Sequence, residues 1–204
     1  MCWNARVSLN TFAFALFVAI LAYFNRKHHT VDMRLILFMI VFSTVQLAEA
    51  GVWIYYDNPA MNTFFTNIIL VILVFELITA GNLIDNYKIK YAYYGLVLFY
   101  IIYLSFGYKY NNIHSIKEKN GHLRWVANFS NDTLYPYAIL LLLPFLIIAI
   151  TDRSYYYFIF ALITLIISVV SYKKDKTISS MWCWIANMLW LIILYRIFRD
   201  TCKK

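Results

Sequence analysis

Residues 35–56 read LILFMIVFSTVQLAEAGVWIYY, an apolar run in which Glu49 is the only charged side chain. An α-helix rises 1.5 Å per residue, so about 20 mostly apolar residues cross the ~30 Å hydrocarbon core of a bilayer. This stretch has that length and no proline. It lacks the strict alternation of a strand. Transmembrane barrel strands are about 10 residues long and alternate polar with apolar. The run is therefore predicted to be a membrane-spanning helix.

The same character recurs along the chain. Apolar runs cover roughly 7–24, 63–84, 91–107, 135–151, 155–172 and 180–198. Polar groups separate them at Asn25-Arg-Lys-His-His, Asp57-Asn-Pro, Asp85-Asn-Tyr-Lys, Asp152-Arg-Ser and Lys173-Lys-Asp-Lys. The expected architecture is all-α: a polytopic membrane protein of seven transmembrane helices forming one domain over 1–204. A polar loop over 108–134 joins helices four and five. Glycine and proline are scarce, so continuous helices are predicted, including the last. Pro136 suits a first helical turn, Pro144 falls inside helix five, and Ser179 or Ser180 is placed to cap helix seven.

Composition agrees. Of 204 residues, 63% are hydrophobic and only 14% charged, with a mean hydropathy of +0.65. A soluble domain carries about 25% charged residues. The net charge of +8 comes from Lys and Arg lying between apolar runs, where they meet lipid headgroups rather than nucleic acid. The lipid bilayer is the expected partner. The first run lacks the flanks of a cleavable signal and is read as a retained helix. Arg6 precedes it and Arg26-Lys27 follow it, which favours an outside or lumenal N-terminus and a cytoplasmic C-terminus. The sequons at Asn128 and Asn131 then face outward. An offset of 120 residues lays helices one to three on helices five to seven, which permits a 3+1+3 arrangement. Three identities, such as Asn67 with Asn187, do not establish it.

Acids at bilayer depth are costly, so they face the bundle interior and often mark function. Gln46, Glu49 and Trp53 share one face of helix two by their spacing of three and four. With seven helices, the N-terminus and the start of helix seven lie at one end of the bundle. Cys2, Trp3, Asn4, Gln46, Glu49, Trp53, Asn67, Trp182, Cys183, Trp184 and Asn187 therefore fall in the same half. Glu76 lies deeper, about 20 Å from that face at 1.5 Å per residue. Together they make a candidate intramembrane polar pocket, able to hold a small ion or small-molecule ligand, or to serve as interhelical glue. Cys2 and Cys183 share a depth, which a disulfide requires but which does not establish one. No cofactor or metal is indicated. His28, His29, His114 and His122 lie in loops on opposite sides, and no Walker loop, His-Glu-x-x-His pair or nucleophile elbow is present. A retinal-binding lysine and receptor signatures are absent too.

The opening Met1-Cys-Trp-Asn-Ala, the Gln46-x-x-Glu49-x-x-x-Trp53 motif and the late Trp182-Cys-Trp-Ile-Ala-Asn187 together resemble an uncharacterised family of small multi-helix membrane proteins. Large DNA viruses of the mimivirus kind encode them, with relatives in bacteria and protists. Asn4 stands where Ser is usual, and Glu76-Leu77 stands where relatives carry Gln-Pro. The resemblance implies a viral or virion membrane component and assigns no activity. Three function classes remain open: a structural or assembly protein, a proton- or cation-coupled transporter or channel using Glu49 and Glu76, and a membrane-embedded lipid enzyme.

Overall fold

The computed structural model describes residues 4–109, 112–126, 134–151 and 155–202. Its helices are α1 (Ala5–Phe24), α2 (Met33–Ile54), α3 (Pro59–Gly81), α4 (Tyr87–Gly107), α5 (Leu134–Thr151), α6 (Tyr156–Tyr172), α7 (Ile178–Ala186) and α8 (Leu189–Cys202). One antiparallel hairpin, β1 (His114–Lys117) and β2 (Leu123–Val126), stands between α4 and α5. The protein is thus all-α apart from that hairpin, an apolar helical bundle of seven runs with α7 and α8 sharing the seventh. Five runs are long and apolar enough to cross a membrane: α1, α2, α3, α4 and the joined α7–α8. The two shorter ones, α5 and α6, have 18 and 17 residues, or about 25 Å of rise each.

Short polar side chains start the helices. Asn4, Asp32, Asn58 and Asn86 each accept a first-turn amide proton, from Val7, Arg34, Met61 and Lys88 respectively. This satisfies amides that have no partner within the helix. Helix α2 is the centre of the bundle. Its buried residues run from Leu35 to Val52, and α1, α3 and α7 pack around it. At Gly51 a Cβ would sit 2.5 Å from the Phe65 ring, so the missing side chain sets how closely α3 approaches. Helix α4 lies at the edge against α3, with Leu96, Leu98, Phe99, Ile102 and Phe106 exposed on its outer side.

Contacts between loops agree with seven crossings. At one end the α1–α2 turn, the α3–α4 turn and α8 meet. Thr30 donates to Asp200 through both its amide and its hydroxyl, and Arg34 bridges Asp32 and Asp85. At the other end the α2–α3 turn, the hairpin and the α6–α7 turn meet.

Two features differ from the expected layout. The seventh run is not one helix. It breaks at Asn187 and Met188, where the chain makes three-residue turns, with Asn187 N–H to Trp184 O at 3.2 Å and Met188 N–H to Ile185 O at 3.0 Å. Neither glycine nor proline causes this; a side-chain network at Asn187 does. Helix α7 also starts earlier than Ser179 or Ser180 would place it. Thr177 is its N-cap and makes no side-chain capping bond.

The second feature is the polar loop, whose described part is a hairpin sunk into the bundle end. Ser115, Leu123, Ile113 and His122 are buried. Backbone buried in this way must find its hydrogen-bond partners within the protein. Here Asn62 on α3 acts as a substitute strand. Its side-chain oxygen accepts from Ser115 N–H at 2.7 Å, and its amide donates to Ser115 O at 3.0 Å. The Tyr56 hydroxyl accepts from Lys117 N–H at 3.0 Å. The outer edge of β1 is thereby paired. The turn closes through Gly121 N–H to Glu118 O at 2.9 Å, with Gly121 at φ +81°, a left-handed conformation that glycine adopts freely. Replacing Asn62 by alanine leaves both backbone groups of Ser115 buried and unpaired, at about 1–3 kcal/mol each. Amide exchange across 114–126 should then rise at least tenfold, while that of α2 stays slow.

Candidate functional site

Helix α2 projects Glu49 and Trp53 under the hairpin, with Gln46 one turn before Glu49 on the same face. Gln46 and Glu49 are fully buried. Trp125, opposite Ser115 in the hairpin register, donates its indole proton to Glu49 Oε1 at 3.2 Å. Lys117 lies 5.8 Å from the Trp53 ring centroid. The acid thus fixes the roof to the bundle through a residue that sequence spacing assigns to a loop.

Asn187 belongs to a separate network at the helix break. Its amide donates to Cys183 O at 2.7 Å, its oxygen lies 2.6 Å from Ser43 Oγ, and the Trp190 indole donates to Ser43 Oγ at 2.8 Å. All three side chains are buried. Bonding back to the fourth residue before it, while reaching across to α2, holds Asn187 where the ladder changes from four-residue to three-residue spacing.

Glu76 forms a third locus. It accepts a hydrogen bond from the Tyr137 hydroxyl of α5, and its other oxygen, Oε1, is buried with no hydrogen-bond partner among the described residues. Both residues are buried.

Between these loci lies a cavity of about 780 Å³. Its walls are one face of α3 (Asn67, Leu70, Val74, Leu77), the end of α4 (Tyr100, Ile101, Leu104) with its C-cap Tyr108, and α7 (Ile178, Trp182, Cys183). Tyr137 contributes from α5, and Arg124, Trp125 and Val126 of β2 form the roof. The volume falls within the ~300–1,000 Å³ usual for ligand pockets. Tyr108, Tyr135, Lys173 and Lys176 at the rim are exposed, so the cavity opens toward the hairpin end. Tyr108 donates to Asn67 Oδ1 at 2.7 Å across that rim. Deeper, the lining is apolar apart from Tyr100, Tyr137 and Cys183.

The residues placed by sequence in one pocket are therefore divided. Glu49 and Trp53 lie beneath the hairpin, with Gln46 one turn before Glu49. Asn67, Trp182 and Cys183 line the cavity, Glu76 stands behind Tyr137, and Asn187 sits at the break. Helical rotation separates the last group: at ~100° per residue, Trp182 and Asn187 face different neighbours, and Trp182 donates to Thr164 of α6. Trp184 is half-buried outside these networks, and Asn4 is exposed as the cap of α1. Cys2 and Trp3 lie outside the described residues, as do both sequons. Tyr137, Ser43 and Trp190 were not singled out by sequence, and the roof residue Trp125 was expected at the membrane interface rather than on Glu49. Ser43 lies three residues before Gln46 and was the one legible signal; the others depend on long-range packing.

The hairpin is also fastened on its far side. Asn120 donates to Asp175 Oδ2 at 3.0 Å and to Thr177 Oγ1 at 3.1 Å. His122 sets its ring edge against Tyr172 at 5.5 Å. Burial of the imidazole holds His122 down to about 4, against the opposing pull of Asp175. An unfolded histidine titrates near ~6.5. Between those values the unfolded chain binds more protons, so stability rises with pH there. The neutral ring's contribution is complete above ~6.5 and is lost as pH falls toward 4. The unfolding midpoint of wild type in detergent should fall across this window, and His122→Gln should flatten that part of the profile.

No family model, curated protein or solved structure matches this chain.

Proposed function

We propose that this integral membrane protein holds a bilayer-derived acyl chain in the cavity beneath its hairpin. The observation that carries the reading is the match of the cavity to one leaflet. Its α3 wall runs from Asn67 to Leu77, ten residues or about 15 Å, half of the ~30 Å hydrocarbon core. The chain would lie among leucine, valine and isoleucine side chains, with the tyrosines and cations of the rim at headgroup level. The resemblance of the Met-Cys-Trp opening to the virus-encoded family supports a viral or organelle membrane as the setting. The charges flanking α1 support an outside N-terminus.

A second reading, proton or cation transfer through Glu49 and Glu76, has the broken seventh span in its favour, because discontinuous helices line many transport sites. Against it, Glu49 is roofed by Trp125 and Glu76 is bonded to Tyr137, in two separate loci.

Native mass spectrometry of protein released from nanodiscs tests the first reading. Wild type should retain one lipid-mass adduct, and Val74→Trp, which obstructs the cavity midway along its α3 wall, should lose it at an unchanged unfolding midpoint. A wild type without adducts refutes the reading. Ion flux in liposomes, lost in Glu49→Gln or Glu76→Gln, would favour the second.

A further inference from the structure

We propose that the cavity selects a phosphate-bearing, anionic lipid from the leaflet on the hairpin side, with its headgroup held by Lys173, Lys176 and Arg124. This rests on the acyl-chain reading above and adds the chemistry of the head.

Three cations, Arg124, Lys173 and Lys176, stand at the rim. Arg124 has a carboxylate partner, Glu118 at 2.9 Å. Lys173 and Lys176 are exposed and have no acidic partner among the described residues. The nearest acid in sequence, Asp175, accepts instead from Asn120. Helix α7 adds to the field. Ile178 and Ser179 of its first turn line the cavity, and no side chain caps its amides. The positive end of its dipole thus favours an anion at the rim.

The backbone at Lys176 supplies an independent argument. Helix α6 ends in a Schellman motif: Thr177 N–H bonds Tyr172 O at 3.4 Å, and Lys176 N–H bonds Lys173 O at 3.2 Å. The position that Lys176 fills is left-handed, φ 56°, and is commonly glycine. Among the described residues Lys176 is the one non-glycine with positive φ. A side chain there carries a conformational cost that glycine avoids. Strain of this kind gathers at functional sites. Here it places an ammonium group at the mouth of an apolar cavity sized for one leaflet. Anionic lipid is the occupant that meets both charge and wall, since a soluble anion would leave the apolar depth unfilled.

The test uses the full chain in nanodiscs of equimolar phosphatidylcholine and phosphatidylglycerol, with retained lipid measured by native mass spectrometry. Wild type should hold phosphatidylglycerol in preference. Each lysine contributes about fivefold, from ~1 kcal/mol per basic residue at a lipid surface. Lys173→Glu/Lys176→Glu should abolish the preference while still retaining phosphatidylcholine. Lys176→Gly should cut it about fivefold with an unfolding midpoint equal to or above that of wild type, a combination that a merely structural lysine would not give. Equal retention of both lipids by wild type overturns the headgroup assignment and leaves the acyl-chain reading standing. Retention of neither overturns both. Stabilisation by inorganic phosphate as large as that by phosphatidylglycerol would put a soluble anion at the rim and overturn the lipid source.

Discussion

Replacing Trp190 by alanine is expected to destabilise the bundle by about 3–5 kcal/mol, the range for removing a buried aromatic side chain. Trp190 is fully buried and donates to Ser43, itself fully buried, beside the break in the seventh span. In lipid the loss is chiefly of van der Waals contact and of a filled volume, because lipid tails are as apolar as the core. Trp190→Phe separates the two contributions. It keeps most of the contact and removes one interhelical hydrogen bond, worth about 1 kcal/mol in a membrane. Thermal unfolding in detergent, followed by size exclusion, measures both. Equal losses for Ala and Phe would assign the effect to the hydrogen bond rather than to packing.

Tyr137→Phe is the second large change, with a cost of about 3 kcal/mol. The carboxyl of Glu76 then keeps no hydrogen bond among the described residues while remaining fully buried. Removing one partner of a buried polar pair costs the desolvation of the other, whereas removing both in favour of apolar groups can be nearly neutral. The double variant Tyr137→Phe/Glu76→Leu should therefore recover most of the stability that Tyr137→Phe loses. The double-mutant cycle reads this directly as a coupling above about 1 kcal/mol. Additive losses would show that the two side chains do not depend on one another.

How much of this was legible beforehand differs by level. The helical membrane class and the seven apolar runs followed from length and hydropathy, because a bilayer imposes both on any spanning helix. The inward face of α2 followed from the spacing of Gln46, Glu49 and Trp53. The break at Asn187 was not legible. Asparagine is an ordinary helix residue there until Ser43 reaches it from α2, 144 positions away in sequence. The hairpin was hidden for a similar reason. His114–Lys117 and Leu123–Val126 are four residues each, too short for alternation to register, and their edge is completed by a helix side chain. Glu76 apart, the expected single pocket merged loci that share a depth but not an azimuth. Depth can be counted along a sequence, while azimuth depends on how each helix is turned against its neighbours.

Asn62 has a consequence for biogenesis. A chain is made from its N-terminus, so α2 and α3 are synthesised before residues 114–126. The template for the outer edge of β1 is then waiting when the hairpin emerges. The tether on the other side, Asn120 to Asp175 and Thr177, needs residues made some fifty positions later. The nascent protein thus passes through a stage with its roof hinged on one side only. During that interval the α7 wall of the cavity, from Ile178 to Cys183, has yet to be made.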